Sequence, residues 1–389
     1  MFEIVAQDDL ARTGMLQTRH GVVHTPFFMP VVTKANEHRI GPREYTSLGA
    51  DSSHCLAADA GAVICNSLIA SFEPGQAAVR AAGGMHGMLG FDRVIFSDSG
   101  GFQVSPESSF VARVMDKGIH FTACWSNDSM LLTPEQSMAI QQLLASDVAM
   151  VLDDMAPYGS TRERSIQALE RTHRWAEQCL RYHAGNEQLL FGICQGGLHR
   201  DLRRRSATFI DSLGFDGIAI GGVALHKTRA EKLLCVSAAV ESISSRKPRY
   251  VMGIGHPVEI LDMVAHGIDC FDTAFPTIQA RRGIAFTACG MCALTTASTE
   301  VWAQPLDEQC DCSTCRSHTV EDMVRQFRTN QEAVVHLLSH HNVRFMMRLM
   351  CDIRQAILEQ RFESFRRELS RAWSVPITGG IEASSVSAS

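Results

Sequence analysis

Eight short apolar runs, each closing on a polar residue or a glycine, constrain this chain more than any other feature. They are "HTPFFMPVV" (24–32), "AVICNS" (62–67), "VIFSDSG" (94–100), "VAMVLDD" (148–154), "LLFGICQGG" (189–197), "GIAIGGV" (217–223), "YVMGIG" (250–255) and "IDCFDT" (268–273). Nearly continuous apolar character is the mark of a strand buried on both faces. Helical patterns separate most of the runs. "TPEQSMAIQQLLAS" (133–146) offers Thr133 as N-cap, Pro134 at the first helical position and Gln136 three residues after the cap. "STRERSIQALERTHRWAEQCLRYHA" (160–184) is amphipathic behind Ser160 or Thr161, and "PVEILDMVAHG" (257–267) opens on Pro and closes on Gly. Strand–helix alternation predicts a parallel sheet, and eight such strands over roughly 250 residues predict a closed (β/α)8 barrel. In that fold Asn66, Asp98, Asp153, Gln195, Gly222, Gly253 and Asp272 end their strands on one rim, where barrel enzymes hold their active sites.

The expected organisation is a barrel over 1–275, a metal-binding subdomain over 276–345, a C-terminal helix over 346–375 that packs on the barrel, and a small, polar, disordered tail over 376–389. No apolar run reaches the roughly 18–20 residues of a membrane span, and the N-terminal "MFEIVAQDDLARTG" lacks the apolar core of a signal peptide. The 13 cysteines are mostly scattered, which points to a reducing, cytoplasmic setting. A net charge of −6 argues against binding nucleic acid by bulk charge. The runs "HRDLRRR" (199–205), "RKPR" (246–249) and "ARR" (280–282), with Arg344, Arg348, Arg354, Arg361, Arg366, Arg367 and Arg371, permit phosphate contacts, although each run alone reads as a solvated face.

"CDCSTC" (310–315) brings Cys310, Cys312 and Cys315 together, three soft ligands of a tetrahedral Zn2+. His336, His340 or His341 could supply the fourth, and four protein ligands make a closed, structural site. "TACGMC" (287–292) reads as a β-hairpin with buried thiols at Cys289 and Cys292; the rival is an all-cysteine site mixing the two clusters. At the rim, Asp98 and Asp272 can serve as acid–base and nucleophile on a glycosidic bond. Gln195 and Gly222 can face a polar ring edge, and Phe102 and Met252 can sandwich a flat ring.

"HGVVHTPFFMPV", "SDSGGFQV", "LTPEQSMAIQQLLASD", "LFGICQGGLHRDLR", "FDGIAIGG", "GIDCFDTAFPT" and "CDCSTC…HHN", in this order over about 20–342, resemble the tRNA-guanine transglycosylase family. The resemblance implies a pentosyltransferase that exchanges guanine at the wobble position of tRNA for a 7-deazaguanine base, queuine or preQ1. It implies Asp272 as nucleophile, Asp98 as general acid–base, and Ser99, Asp153, Gln195 and Gly222 around the base, with Phe102 and Met252 stacking on it. It further implies Arg281 and Arg282 on the tRNA, His341 as the fourth zinc ligand because Asn342 follows it, and a homodimer.

The chain departs from the family pattern at Leu68 and Ile69, at an apparent insertion over 50–61, at Met155, at the loop Val223–Ala224–Leu225–His226–Lys227, and at Ile278. Lys227 stands where the 7-substituent of an incoming base would lie and would repel a cationic one. Alternatives are a relative that uses the nitrile-bearing preQ0 or modifies DNA, and a tRNA-binding partner subunit. The fold alone also allows a zinc-dependent barrel hydrolase.

Overall fold

All eight apolar runs form strands of one parallel sheet, seen in a computed structural model that describes residues 1–32, 61–104, 110–183, 187–296 and 303–374. In chain order the strands are β1 (Phe2–Asp8), β2 (Ala11–Thr18), β3 (Gly21–Thr25), β4 (Phe27–Pro30), β5 (Ala62–Asn66), β6 (Val94–Asp98), β7 (Phe110–Met115), β8 (Gly118–Ala123), β9 (Ser129–Leu132), β10 (Val148–Met150), β11 (Leu189–Cys194), β12 (Gly217–Ile220), β13 (Arg249–Val251), β14 (Cys270–Thr273), β15 (Ile284–Thr287) and β16 (Gly290–Ala293). The parallel order is β4-β14-β13-β12-β11-β10-β6-β5. A parallel bridge between Val31 and Ile64, with Val32 N donating to the Ile64 carbonyl at 2.8 Å, closes β4 onto β5 and completes the barrel. The tail at 376–389 and nearly all of the insertion expected at 50–61 lie outside the described residues.

The helices follow their local signals. Thr133 Oγ1 accepts from Gln136 N while Gln136 Oε1 accepts from Thr133 N, so the Pro134–Leu144 helix opens on a reciprocal capping box. Of the two candidate caps for the Arg162–His183 helix, Thr161 is the one used, accepting from Arg164 N at 3.2 Å. A single helix, Gln331–Leu358, runs through position 345, where the metal-binding segment was expected to give way to the C-terminal helix.

Two antiparallel sheets were not anticipated. One, β7-β8-β9, follows the strand that carries Asp98. The other, β1-β2-β3, leads into the first barrel strand, and β1 alternates half-buried and exposed residues along its length. Strands covered on one face alternate polar with apolar residues, so a search for continuous apolar runs passes over them.

The β1–β3 sheet is tied to the barrel through a buried ion pair. Arg12 Nε and Nη2 donate to the two carboxylate oxygens of Asp269 at 2.9 and 2.5 Å, and Arg12 also donates to the carbonyls of Ser245 and Lys247. Asp269 Oδ2 also accepts from Arg249 N at 2.7 Å, and the Asp269 carbonyl receives Phe27 N at 2.9 Å. Removing one partner of a buried pair strands the other charge. Asp269→Ala is therefore expected to lower the free energy of unfolding by about 3–5 kcal/mol, read from urea denaturation. Arg12→Met combined with Asp269→Leu is expected to recover part of that loss; a double variant no more stable than the single one would contradict the stranded-charge account.

Candidate active site and metal cluster

The C-terminal ends of β6 and β14 each carry a half-buried aspartate. Asp98 accepts three hydrogen bonds: Asn66 Nδ2 to Oδ2 at 2.9 Å, Ser67 N to Oδ1 at 3.2 Å and Gly100 N to Oδ1 at 3.0 Å. Asn66 lies opposite Asp98 in the β5–β6 register, so two adjacent strand ends build this contact. Gly100 reaches it in a left-handed conformation, φ +81°, where a Cβ would also come within 2.7 Å of the Leu68 side chain. Asp272 Oδ1 accepts from the Tyr250 hydroxyl at 2.6 Å and from Gly253 N at 2.8 Å, which places Met252 and Gly253 beside it.

Burial dominates the electrostatics of both groups. It pushes the Asp98 carboxyl up to about 7, with the charge of Asp272 adding to the rise and the three hydrogen bonds opposing it. Burial also raises Asp272 above the usual carboxylate range, against the bonds from Tyr250 and Gly253. The two aspartates thus share one rim closely enough to feel each other's charge, one of them poised to hold a proton near neutrality.

A polar wall stands beside them. Gln195 Nε2 donates to Asp153 Oδ2 at 2.6 Å, and burial pushes Asp153 up to about 6. Gly222, at φ +72°, lies so close that a Cβ there would be 3.1 Å from Gln195 Oε1. Ser99 is buried and accepts from Gly101 N at 3.3 Å, while a Cβ on Gly101 would approach Asp153 Oδ1 to 2.8 Å. Ser99, Asp153, Gln195 and Gly222 therefore form one continuous surface. Phe102 follows it in the turn Gly101–Val104 and is 52% exposed, an aromatic face open to solvent; Met252 is half-buried. The neighbouring acid, Asp154, is held away from this wall by Arg164, at 2.7 and 3.0 Å, and by Arg171.

Cys310, Cys312, Cys315 and His341 are all buried, and their ligand atoms lie within 4.8 Å of one another. His341 Nε2 is 2.7 Å from the Phe286 carbonyl, which only accepts, so Nε2 carries the proton and Nδ1 presents its lone pair. Nδ1 in turn lies 3.2 Å from the Cys315 sulfur and 3.6 Å from that of Cys312. Asn342 holds the same strand, accepting from Phe286 N at 2.8 Å and donating to the Pro276 and Ile284 carbonyls. The cluster can hold a metal ion with four protein ligands. It sits in an apolar core of its own, with Leu294, Val320, Met323 and Leu338, separate from the barrel core. Cys289 and Cys292 belong to the β15–β16 hairpin as expected, but Cys289 is at its turn and exposed rather than buried.

The family profile described as "Queuine tRNA-ribosyltransferase" matches residues 8–375. The queuine tRNA-ribosyltransferase of Bacillus subtilis (strain 168) is 39% identical over 359 residues, covering 92% of this chain and 91% of that protein. That of Nitrosomonas europaea is 37% identical over 369 residues, covering 95% and 96%. The chain belongs to the queuine tRNA-ribosyltransferase family.

In this family member many residues of the basic runs pair within the protein, some buried and some at its surface. Arg203 is buried, donating to the Gly197 and Gly221 carbonyls behind the polar wall, and Arg204 and Arg205 pair with Glu241 and Glu170. Arg344 pairs with Asp311, Arg366 with Asp262 and Glu363, and Arg361 with Glu359. Arg281 and Arg282 are exposed at the end of the Phe275–Arg281 helix, which starts two residues after β14. Among the described residues no helix is long and apolar enough to cross a membrane.

Tyr250 and Arg203 escaped the sequence reading. Tyr250 sits inside an apolar run and reads as core; its signal was the period-two spacing to Met252, which puts both on one strand face. Cys315→Ser is expected to lose one equivalent of bound metal per chain, by elemental analysis, together with a fall in melting temperature. Unchanged metal content would remove the cluster from consideration as a metal site.

Proposed function

We propose that this protein exchanges guanine at the wobble position of tRNA for a 7-deazaguanine base through a covalent intermediate on Asp272. The observation that carries the reading is the pair of half-buried, hydrogen-bonded carboxylates on one rim beside the Asp153–Gln195 wall. With the guanine flipped out of the anticodon loop, the Asp272 carboxylate attacks ribose C1′. A C1′–O bond forms as the C1′–N9 bond breaks, and Asp98 supplies a proton to the departing base. Asp98 then takes the proton from the incoming base, whose nitrogen displaces Asp272 from C1′. Two inversions leave the configuration retained. Asp153, Gln195, Ser99 and the Gly222 backbone read the polar edge of the base, Phe102 and Met252 flank its faces, and Arg281 and Arg282 meet tRNA phosphates.

We take the ion of the Cys310–Cys312–Cys315–His341 cluster to be zinc, because three thiolates and one imidazole suit a tetrahedral soft-ligand site. Its part is structural. Homodimerisation through this region and a cytoplasmic location accompany the reading, and light scattering tests the first.

A second reading of the incoming base rests on Lys227. Its ammonium lies 5.2 Å from the centre of the Tyr158 ring, in the loop that follows Gly222. A cation there disfavours an aminomethyl substituent, so preQ0 is expected to compete with labelled guanine better than preQ1 does; the reverse order would exclude this reading.

The central test incubates the chain with labelled guanine and tRNA carrying guanine at the wobble position. Wild-type protein is expected to incorporate label and to give a denaturation-resistant tRNA adduct. Asp272→Asn is expected to lose both, with exchange down about 10⁴-fold or more. Exchange that persists in the variant, or that requires DNA in place of tRNA, would overturn the assignment.

The rate of adduct formation should be bell-shaped in pH, because Asp272 must be ionised and Asp98 protonated. The bond from Asn66 favours ionised Asp98, so Asn66→Ala raises the Asp98 pKa and moves the alkaline limb to higher pH. The bond from Tyr250 favours ionised Asp272, so Tyr250→Phe moves the acid limb to higher pH. A profile in which these substitutions move the limbs downward would reverse the roles.

A further inference from the structure

The opposite end of the barrel carries a group of side chains that the exchange reaction does not use. His20 lies in the turn between β2 and β3, His86 in the helix Met85–Leu89, and Asp147 immediately before β10. The Asp147 carboxylate is fully buried. The two imidazole rings lie face to face over it, their centroids 3.7 Å apart at 30°. One nitrogen from each ring and one carboxylate oxygen all fall within 4.8 Å of one another.

The hydrogen-bonding pattern says what this group lacks. His86 Nδ1 is 2.9 Å from the Phe91 carbonyl, so Nδ1 carries the proton. Nε2 of the neutral ring is then a lone pair. It is buried, has no hydrogen-bond partner, and stands 3.2 Å from Asp147 Oδ2. Two acceptors facing each other at that distance repel unless a metal ion or a proton lies between them. His20 Nδ1 approaches the other oxygen, Oδ1, to 2.8 Å. The carboxylate itself is fixed from behind, Oδ2 by Ile95 N at 2.8 Å and Oδ1 by His20 N at 3.0 Å.

We propose that His20, His86 and Asp147 bind a divalent transition metal ion of the zinc class. The two nitrogens flank the carboxylate, His20 Nδ1 2.8 Å from Oδ1 and His86 Nε2 3.2 Å from Oδ2, so an ion between the rings would be shared with the carboxylate. Two imidazoles and one carboxylate select Zn2+, Co2+ or Ni2+ over calcium or magnesium. Backbone anchoring of His86 and Asp147 supplies the second shell that such sites need, and His341 uses the same device as His86, one nitrogen on a carbonyl and the other turned to the cluster. The His20 side chain is 31% exposed, which leaves the remaining coordination position to solvent. An ion here ties the β2–β3 turn to the base of the barrel, far along the strands from the rim aspartates.

The rival occupant is a proton, with His86 as an imidazolium paired to Asp147. Elemental analysis of the full chain, after equilibration with buffered zinc, separates the two. Wild-type protein is expected to hold two equivalents per chain, and His86→Gln, His20→Gln and Cys315→Ser one each. His20→Gln alters a partly exposed ring and guards against a folding defect in His86→Gln. In the histidine variants Co2+ should keep the thiolate charge-transfer absorption of the cysteine cluster. In Cys315→Ser the cobalt held by the histidines should add d–d bands without a thiolate band of its own. Added Zn2+ should raise the melting temperature of wild type but not of the histidine variants, since only a native-state ligand stabilises. One equivalent in wild type, with a melting temperature that zinc does not move, would assign the triad to the proton and overturn the proposal.

Discussion

Burying two like charges on one rim is the constraint to which the upper half of this barrel is fitted. A carboxylate taken out of water needs hydrogen bonds to remain near its useful pKa. The local structure at the strand ends supplies them: three donors to Asp98 from β5, the residue after it and the Gly100 turn, and two to Asp272 from β13 and the turn that follows. The left-handed backbone at Gly100 and the packing of Leu68 against it follow from that need. The imbalance is useful in itself. Asp98, pushed up to about 7, can both give and take a proton, whereas Asp272 has the firm hydroxyl donor expected of a group that must return to the anion.

What the sequence made legible was what leaves a period. Strands buried on both faces appear as apolar runs, so all eight barrel strands and the rim residues that end them could be read directly. β1 and β7 are covered on one side and alternate, while β2, though buried almost throughout, carries Arg12, Thr13 and Gln17 in place of an apolar run. Roles that depend on a partner distant in sequence were hidden. Tyr250 is an apolar-looking strand residue until Asp272 is placed beside it. His336, His340 and His341 are equivalent candidates by spacing, and only the Phe286 carbonyl, 55 positions away, orients His341 toward the thiols. The basic runs misled for the same reason: Arg203, Arg344 and Arg354 are buried, and net basicity in a segment says nothing about which carboxylates and carbonyls the fold will bring to it.

The two apolar cores divide the work. The barrel core fixes the rim, while the small core around the cysteines fixes the segment after β14, and Asn342 joins them by bonding both ends of the Pro276–Ile284 stretch and Phe286. A metal with four protein ligands in the second core would add no reactive position; it would hold in place the stretch that begins where the helix Phe275–Arg281 ends.

The long helix Gln331–Leu358 links His341 of the cysteine cluster to Arg354, whose Nη1 donates to the Pro26 carbonyl at the entrance to β4. Thirteen residues of unbroken helix separate them, roughly 20 Å of rod. Such a rod transmits phase as well as distance: one residue added or lost between the two points would turn one end by about 100° relative to the other. Either the imidazole would leave the thiols or the guanidinium would leave the barrel. The spacing of His341 and Arg354 thus acts as a gauge that fixes how the cysteine-bearing segment is set against the barrel.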